Sequence, residues 1–186
     1  MSKIKKVSTP LTREKIRELQ AGDMVVISGV IYTGRDAAHK RMTKAIAENQ
    51  ELPIDLEGQI IYYVGPCPAG PGKVIGSCGP TTSGRVDSYT PTFLDLGLKG
   101  MIGKGPRNPV VVESMKKNGA VYFAAIGGAG AAIARSVKKA EIVAYDELGP
   151  EAIYRLEVEE FPCIVAIDSA GRDLYKTGIE KYKISK

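Results

Sequence analysis

Met24-Val-Val-Ile-Ser-Gly-Val-Ile-Tyr-Thr33-Gly34-Arg35-Asp36-Ala-Ala-His39-Lys-Arg-Met-Thr-Lys-Ala-Ile-Ala-Glu48 decides the fold class. Its first part, Met24–Tyr32, is dense in β-branched residues and reads as a buried strand. Thr33-Gly34 breaks that run. Arg35–Glu48 is then rich in Ala, Lys, Arg and Met, which are good helix formers, so a helix follows directly. A strand that hands over to a helix through a short turn is the repeating step of α/β proteins.

Working outward, the alternation continues. Upstream, Thr9-Pro-Leu-Thr-Arg-Glu14 reads as a capped helix start, with Thr12 as N-cap and Lys15–Gln20 continuing the helix. Downstream, Gln59–Val64 reads as a strand closed by Gly65-Pro-Cys-Pro68. Gly70–Arg85 is mainly loop, with a short strand at Val74–Ser77 and a helix opening near Thr82. Thr92–Leu96 is helical in character, Gly100–Gly103 is a short strand before the turn Lys104-Gly-Pro106, and Asn108 can cap a helix through Lys117. Val121–Ile126 reads as a strand and Ala129–Arg135 as a short helix. Glu141–Tyr145 reads as a strand, Glu147–Glu157 as partly helical, and Cys163–Asp168 as the last strand. No internal repeat or long linker divides the chain. The expectation is α/β, with a partly parallel sheet and flanking helices, in one domain over 1–186.

Composition bounds the function. The 186 residues are 44% hydrophobic and 25% charged, the balance of a globular protein with a real core. The 21 glycines and 11 prolines fall between apolar runs and mark tight turns. Net charge is +5, which suits an anionic ligand. Much of the excess sits at the ends, in Lys3, Lys5, Lys6, Lys181, Lys183 and Lys186, and reads as solvated tails. No basic stripe flanked by aromatics and no zinc spacing points to nucleic acid. No run approaches the ~20 apolar residues that span a bilayer, and the first apolar run lacks the flanks of a secretory signal. The three cysteines, Cys67, Cys78 and Cys163, are odd in number and form no CxxC, so a reducing cytoplasm without a disulfide framework is expected.

Three segments carry candidate chemistry. In Gly76-Ser-Cys-Gly-Pro-Thr81-Thr82-Ser83-Gly84-Arg85, small residues let backbone N–H groups approach an anion, while hydroxyls and a guanidinium add directional donors. The same composition serves equally well as a turn and cap. Arg35 stands where a strand hands over to a helix, a ligand-facing place in α/β folds. His39, the single histidine, lies one turn further on the same helix face; a lone helical histidine is more often structural, and no second one is available for a metal. Lys104, between Gly103 and Gly105, can stand close to a ligand or simply make a surface turn. Two familiar patterns fail. Gly72-Lys73 is followed by Val74, so there is no Walker loop. Gly127-Gly128-Ala-Gly130 ends on Ile133 where a dinucleotide fingerprint needs a small residue, and a packing or subunit-contact turn reads better. A cubane cluster needs converging thiolates, and Cys163 lies in an apolar strand.

Taken in order, Gly22–Arg41 with its Gly34-Arg35-Asp36-Ala-Ala-His39 core, then Gly79-Pro-Thr-Thr-Ser-Gly-Arg85, then Gly103-Lys104-Gly105 resemble the class I fumarate hydratases. The resemblance is to their β subunit or to the C-terminal domain of single-chain forms, and the related L-tartrate dehydratase β subunit shares it. It extends to Tyr122-Phe-Ala-Ala-Ile-Gly-Gly-Ala-Gly-Ala-Ala132 and covers nearly the whole chain. The resemblance implies a swivelling β/β/α domain. It implies a hydro-lyase interconverting fumarate and L-malate, or the homologous dehydration of tartrate. It also implies a larger α subunit that holds the [4Fe-4S] cluster with one iron open to substrate, with the site formed between the two parts and αβ units building a higher oligomer. On the matching positions, Arg35, Arg85 and Lys104 fall on substrate carboxylate-binding residues, Thr82 on a substrate contact and Thr81 on a proton-transfer residue. His39 lies within the matching motif with its role open. This chain would hold no metal and would be inactive alone.

Overall fold

A computed structural model describes residues 4–183. In chain order the elements are β1 (Lys5–Ser8), α1 (Arg13–Arg17), β2 (Met24–Thr33), α2 (Asp36–Ala47), β3 (Ile60–Tyr62), α3 (Thr90–Asp95), β4 (Gly100–Gly103), α4 (Pro109–Asn118), β5 (Val121–Ala124), α5 (Gly130–Ala134), β6 (Val137–Ala144), β7 (Ile153–Ile167) and α6 (Leu174–Tyr182). Single 3-10 turns occupy Ser83–Val86 and Asp146–Glu151. Helix starts follow local chemistry. The side chains of Thr12, Asn108 and Asp173 each accept from a backbone N–H in the first turn of their helix. Gly119 closes α4 in the left-handed conformation that glycine adopts without strain.

β2, β3, β4 and β5 are parallel neighbours, and β7 runs antiparallel between β5 and β2. The pairings β2–β3–β4–β5–β7–β2 therefore close a ring. β1 pairs with the first half of β2, and β6 with the first half of β7. Alternation along the strands divides two cores. Ile27, Ile31, Ile60, Tyr62, Phe123, Leu156 and Phe161 form the inner one. Ile61, Tyr63, Met101 and Tyr122 face outward, under Met42 of α2, Phe93 of α3 and Met115 of α4. Strands covered on both faces need apolar residues at every position. That is why β3 and β4 are buried without a break.

The α/β class with a partly parallel sheet and flanking helices is as the sequence leads one to expect. Several local expectations are corrected. Of Glu147–Glu157 only Asp146–Glu151 turns; Ile153 already starts a 15-residue strand. Its glutamates look helical in composition but lie on the solvent face, where Arg155 pairs with Glu157 and Glu141, and Lys139 with Glu141. Val74–Ser77 is not a strand. It folds back on the loop, with Cys67 N–H donating to Ser77 O and Gly76 N–H to Cys67 O. Lys5 is not in a tail: it lies in β1, and its ammonium meets Asp23 Oδ2 at 2.6 Å. Lys181 belongs to α6. Lys3 and Lys186 lie outside the described residues.

Candidate functional site

The four parallel strands end at one rim, and the turns after them carry Arg35, Tyr63–Gly65, Lys104 and Gly127–Gly130. Ligands in open α/β sheets bind outside this carboxyl end. The loop 76–85 is laid across it. Thr81 donates twice to Tyr63 O, from its backbone N–H at 2.8 Å and its hydroxyl at 2.9 Å. Lys104 N–H donates to Thr81 O, and Ser83 N–H to Lys104 O at 3.0 Å, so Thr82 and Lys104 pair as a short parallel bridge. Cys78 N–H reaches Gly130 O at 3.2 Å, and the buried Tyr62 hydroxyl donates to Cys78 O at 2.5 Å. The loop is thus pinned from both sides.

Two glycines make this closeness possible. A Cβ on Gly130 would come within 2.7 Å of Gly79 N, and one on Gly103 would strike the Ser83 hydroxyl. The turn after β5 is therefore a packing turn. It does not open a dinucleotide-binding βαβ unit, because β6 pairs antiparallel with β7 and not with β5.

Arg35 precedes α2 in an extended conformation, and its side chain lies over Gly65, where a Cβ would come 2.8 Å from Nη1. Its Nη2 stands 3.4 Å from Glu151 Oε1, while Glu151 Oε2 accepts from Ala37 N–H at 2.9 Å. The Arg35 Nε is buried with no hydrogen-bond partner. Arg85 and Lys104 are exposed, and among the described residues their side chains make no ion pair. Arg35 and Lys104 thus leave strand ends at this rim, one partly balanced by a carboxylate, and the loop laid across it carries Thr81 and Thr82 and runs on to the exposed Arg85. Such a surface attracts an anion and can grip it directionally.

His39 does not join the rim. It is fully buried among the rings of Tyr63, Tyr89 and Phe93. Its Nδ1 lies 2.8 Å from Arg35 O, and a carbonyl only accepts, so Nδ1 carries the proton and Nε2 is left a bare, unpartnered acceptor. Burial pushes its pKa down to about 4, and the ring is neutral at pH 7. It steadies the carbonyl of Arg35 from beneath.

The cysteines do not fit an iron–sulfur cluster. Cys67 is exposed, while burial pushes the Cys78 thiol up to about 11 and also raises that of Cys163 inside the ring. Among the described residues no three His, Cys, Asp or Glu side chains converge to hold a metal. The structure also adds groups that local sequence does not single out: Glu151 against Arg35, and Asp87 paired with Arg107. Their signal is long-range pairing, invisible to spacing.

Comparison with known proteins fits this geometry. The family model described as "Fumarase C-terminus" matches residues 2–178. A protein of Methanocaldococcus jannaschii, provisionally named L(+)-tartrate dehydratase subunit beta, is 40% identical over 172 residues, 89% of this chain and 88% of its own length. The anaerobic class I fumarate hydratase of Escherichia coli K12 is 40% identical over 157 residues, 83% of this chain but 29% of its own length. Fumarate hydratase 2 of Leishmania major is 36% identical over 165 residues, 88% of this chain and 29% of its own. The chain thus spans nearly all of the first relative and under a third of the other two. With its rim turns, its closed sheet and a family match running almost end to end, this chain belongs to the fumarase C-terminus family.

Proposed function

We propose that this chain is the cluster-free subunit of a [4Fe-4S]-dependent hydro-lyase, catalysing the reversible hydration of fumarate to L-malate. The observation that carries the reading is the Thr81–Arg85 loop locked onto Lys104, at the rim that also carries the partly exposed Arg35. Dehydrating malate removes a proton from the carbon next to one carboxylate and a hydroxyl from the carbon next to the other. Losing the proton pushes charge onto a carboxylate. Arg35, Arg85 and Lys104 hold the two carboxylates and stabilise that charge as it develops. The Arg35 side chain is 23% exposed and pairs with Glu151 only at 3.4 Å, so a carboxylate can reach its guanidinium. Thr82, exposed next to Lys104, contacts the substrate.

Thr81 is assigned to proton transfer. Its own proton is directed to Tyr63 O, so its lone pairs are free to face the substrate. A carbonyl cannot take that proton away, and a hydroxyl is a weak base. Thr81 can relay the substrate proton only by releasing its own, so its O–H turns from Tyr63 O to a base that we assign to a fumarase-type α subunit, together with the cluster that this chain's cysteines do not fit. The assembled enzyme is a higher oligomer of αβ units in the cytoplasm, and this chain alone is inactive. No helix among the described residues is long and apolar enough to cross a membrane.

A second reading, the β subunit of L-tartrate dehydratase, is favoured by the match over 88% of the archaeal relative's length. The deciding experiment reconstitutes the two chains anaerobically and assays fumarate, malate and both tartrate enantiomers. Turnover of fumarate supports the first reading, and turnover of tartrate alone the second. Bound NAD or FAD in the purified chain, without turnover of either, sinks both. In the active complex, Arg35→Ala and Arg85→Ala should each lower kcat/KM by about 10²–10³, the scale of a lost transition-state donor, with assembly intact.

A further inference from the structure

Among the described residues Arg107 is the one arginine whose side chain is wholly buried, and nothing in the rim chemistry uses it. Its Nε donates to Asp87 Oδ1 at 2.6 Å and its Nη2 to the Thr90 hydroxyl at 2.8 Å. The guanidinium lies over two rings, 5.3 Å from the centroid of Tyr63 and 5.0 Å from that of Tyr122. A buried cation is costly unless paired and hydrogen-bonded, so this arrangement has to be complete to persist. Its placement is informative. Asp87 follows Arg85 by two residues, and Arg107 follows Lys104 by three. The other oxygen of Asp87 accepts from Asn108 N–H at 2.7 Å, which fixes the far end of the Lys104 turn as well. Tyr122 adds a second tie: its hydroxyl meets Ser83 Oγ at 2.9 Å and donates to Gly105 O at 2.9 Å.

We infer that Arg107 and Asp87 are positioning residues, a buried ion pair that clamps the segment carrying Arg85 to the segment carrying Lys104 and so sets the spacing of two carboxylate-binding cations. Neither touches the substrate. The inference rests on the hydro-lyase reading for its purpose, but the clamp itself is a property of this chain. Besides the pair, the two segments are joined by the backbone bonds of Thr81, Ser83 and Lys104 and by the single Tyr122 hydroxyl. Those few bonds at the rim would open readily without the pair.

The test uses Asp87→Asn, which keeps shape and removes the charge, Arg107→Lys, which keeps charge and loses the planar fork, and the milder Thr90→Val. Cys163→Ala, inside the ring, serves as a control matched for loss of Tm. In the full chain, the amides of Ser83 and Lys104 should exchange with solvent at least tenfold faster in Asp87→Asn and Arg107→Lys, less so in Thr90→Val, while β2–β7 amides stay protected. In the reconstituted complex, the same variants should raise KM for the dicarboxylate at least tenfold, with a smaller loss of kcat, and Cys163→Ala should not. Unchanged exchange at Ser83 and Lys104 in all three variants overturns the clamp, and so does a KM that follows only Tm. If the wild-type complex turns over neither fumarate nor tartrate, the hydro-lyase reading fails while the exchange data still decide the clamp.

Discussion

His39 shows how a residue inside a candidate motif can support a neighbour from the core, here Arg35. Its proton is committed to Arg35 O, and its pKa lies near 4 because an imidazolium in that ring of aromatics would be desolvated. In the unfolded chain a histidine titrates near ~6.5. Between those two values the unfolded state binds a proton that the folded state does not, so stability is full above pH ~6.5 and falls as pH drops toward 4. The whole loss is about 3 kcal/mol at roughly 1.4 kcal/mol for each pH unit. Unfolding midpoints in urea between pH 7 and pH 5 should show this slope, and His39→Leu should flatten it. A wild-type midpoint that is constant over this range would contradict the burial argument. Above pH 5 the comparison is clean, because ordinary carboxylates are ionised in both states and this is the single histidine. Thr81→Val offers a second test at this scale. It keeps shape and removes the hydroxyl, and an unchanged kcat in the assembled enzyme would take Thr81 off the proton path.

At the scale of elements, the rim depends on turns too tight for a side chain. Gly103 ends β4 against the Ser83 hydroxyl and within 2.9 Å of the Tyr63 ring, measured from where a Cβ would stand. Gly103→Ala must push β4 away from the loop. We expect a loss of about 1–3 kcal/mol, typical of overpacking, and a raised KM, read by thermal melts and by assay of the reconstituted enzyme. An Ala variant as stable and active as wild type would show that the loop is not held there. This dependence explains what the sequence made legible. β2, α2, β4 and the capped start of α4 could be read because strand residues, breakers and caps are local signals. So could the small-residue character of the 76–85 loop. The end of β7, Cys163–Ile167, was legible as an apolar run, but its first half was not, since its glutamates take their meaning from the lysines of β6 across the ladder. β1, four residues with two lysines, is a strand only because β2 offers an edge to pair with. Likewise Arg35 could be singled out at a strand-to-helix turn, but Glu151 could not, nor Asp87 and Arg107, which stand 20 positions apart. Tertiary pairing, and not local propensity, brings those charges together.

For the whole molecule, the closed ring makes two cores out of one set of strands. Ile60 and Tyr62 face the inner cluster, and Ile61 and Tyr63 the outer, so neither core can dissolve while the strands between them stay paired. The Tyr62 hydroxyl also ties the inner core to the rim loop through Cys78 O. Unfolding should therefore be a single cooperative event, despite the two layers and the many short elements. Ile60→Ala and Ile61→Ala sit back to back on β3, both fully buried. Each should lower stability by about 2–5 kcal/mol, the range for a large aliphatic residue cut to alanine in a core. Each should also leave the denaturant m-value unchanged, because the same surface is exposed on unfolding. The chain has nine tyrosines and no tryptophan, so tyrosine emission reports on both cores at once and far-UV circular dichroism on the backbone. The two signals should trace one transition in wild type and in both variants. A separate early transition in Ile61→Ala, with the inner core still intact, would mean that the helical layer detaches on its own. The rim would then not be held ready-formed by this chain.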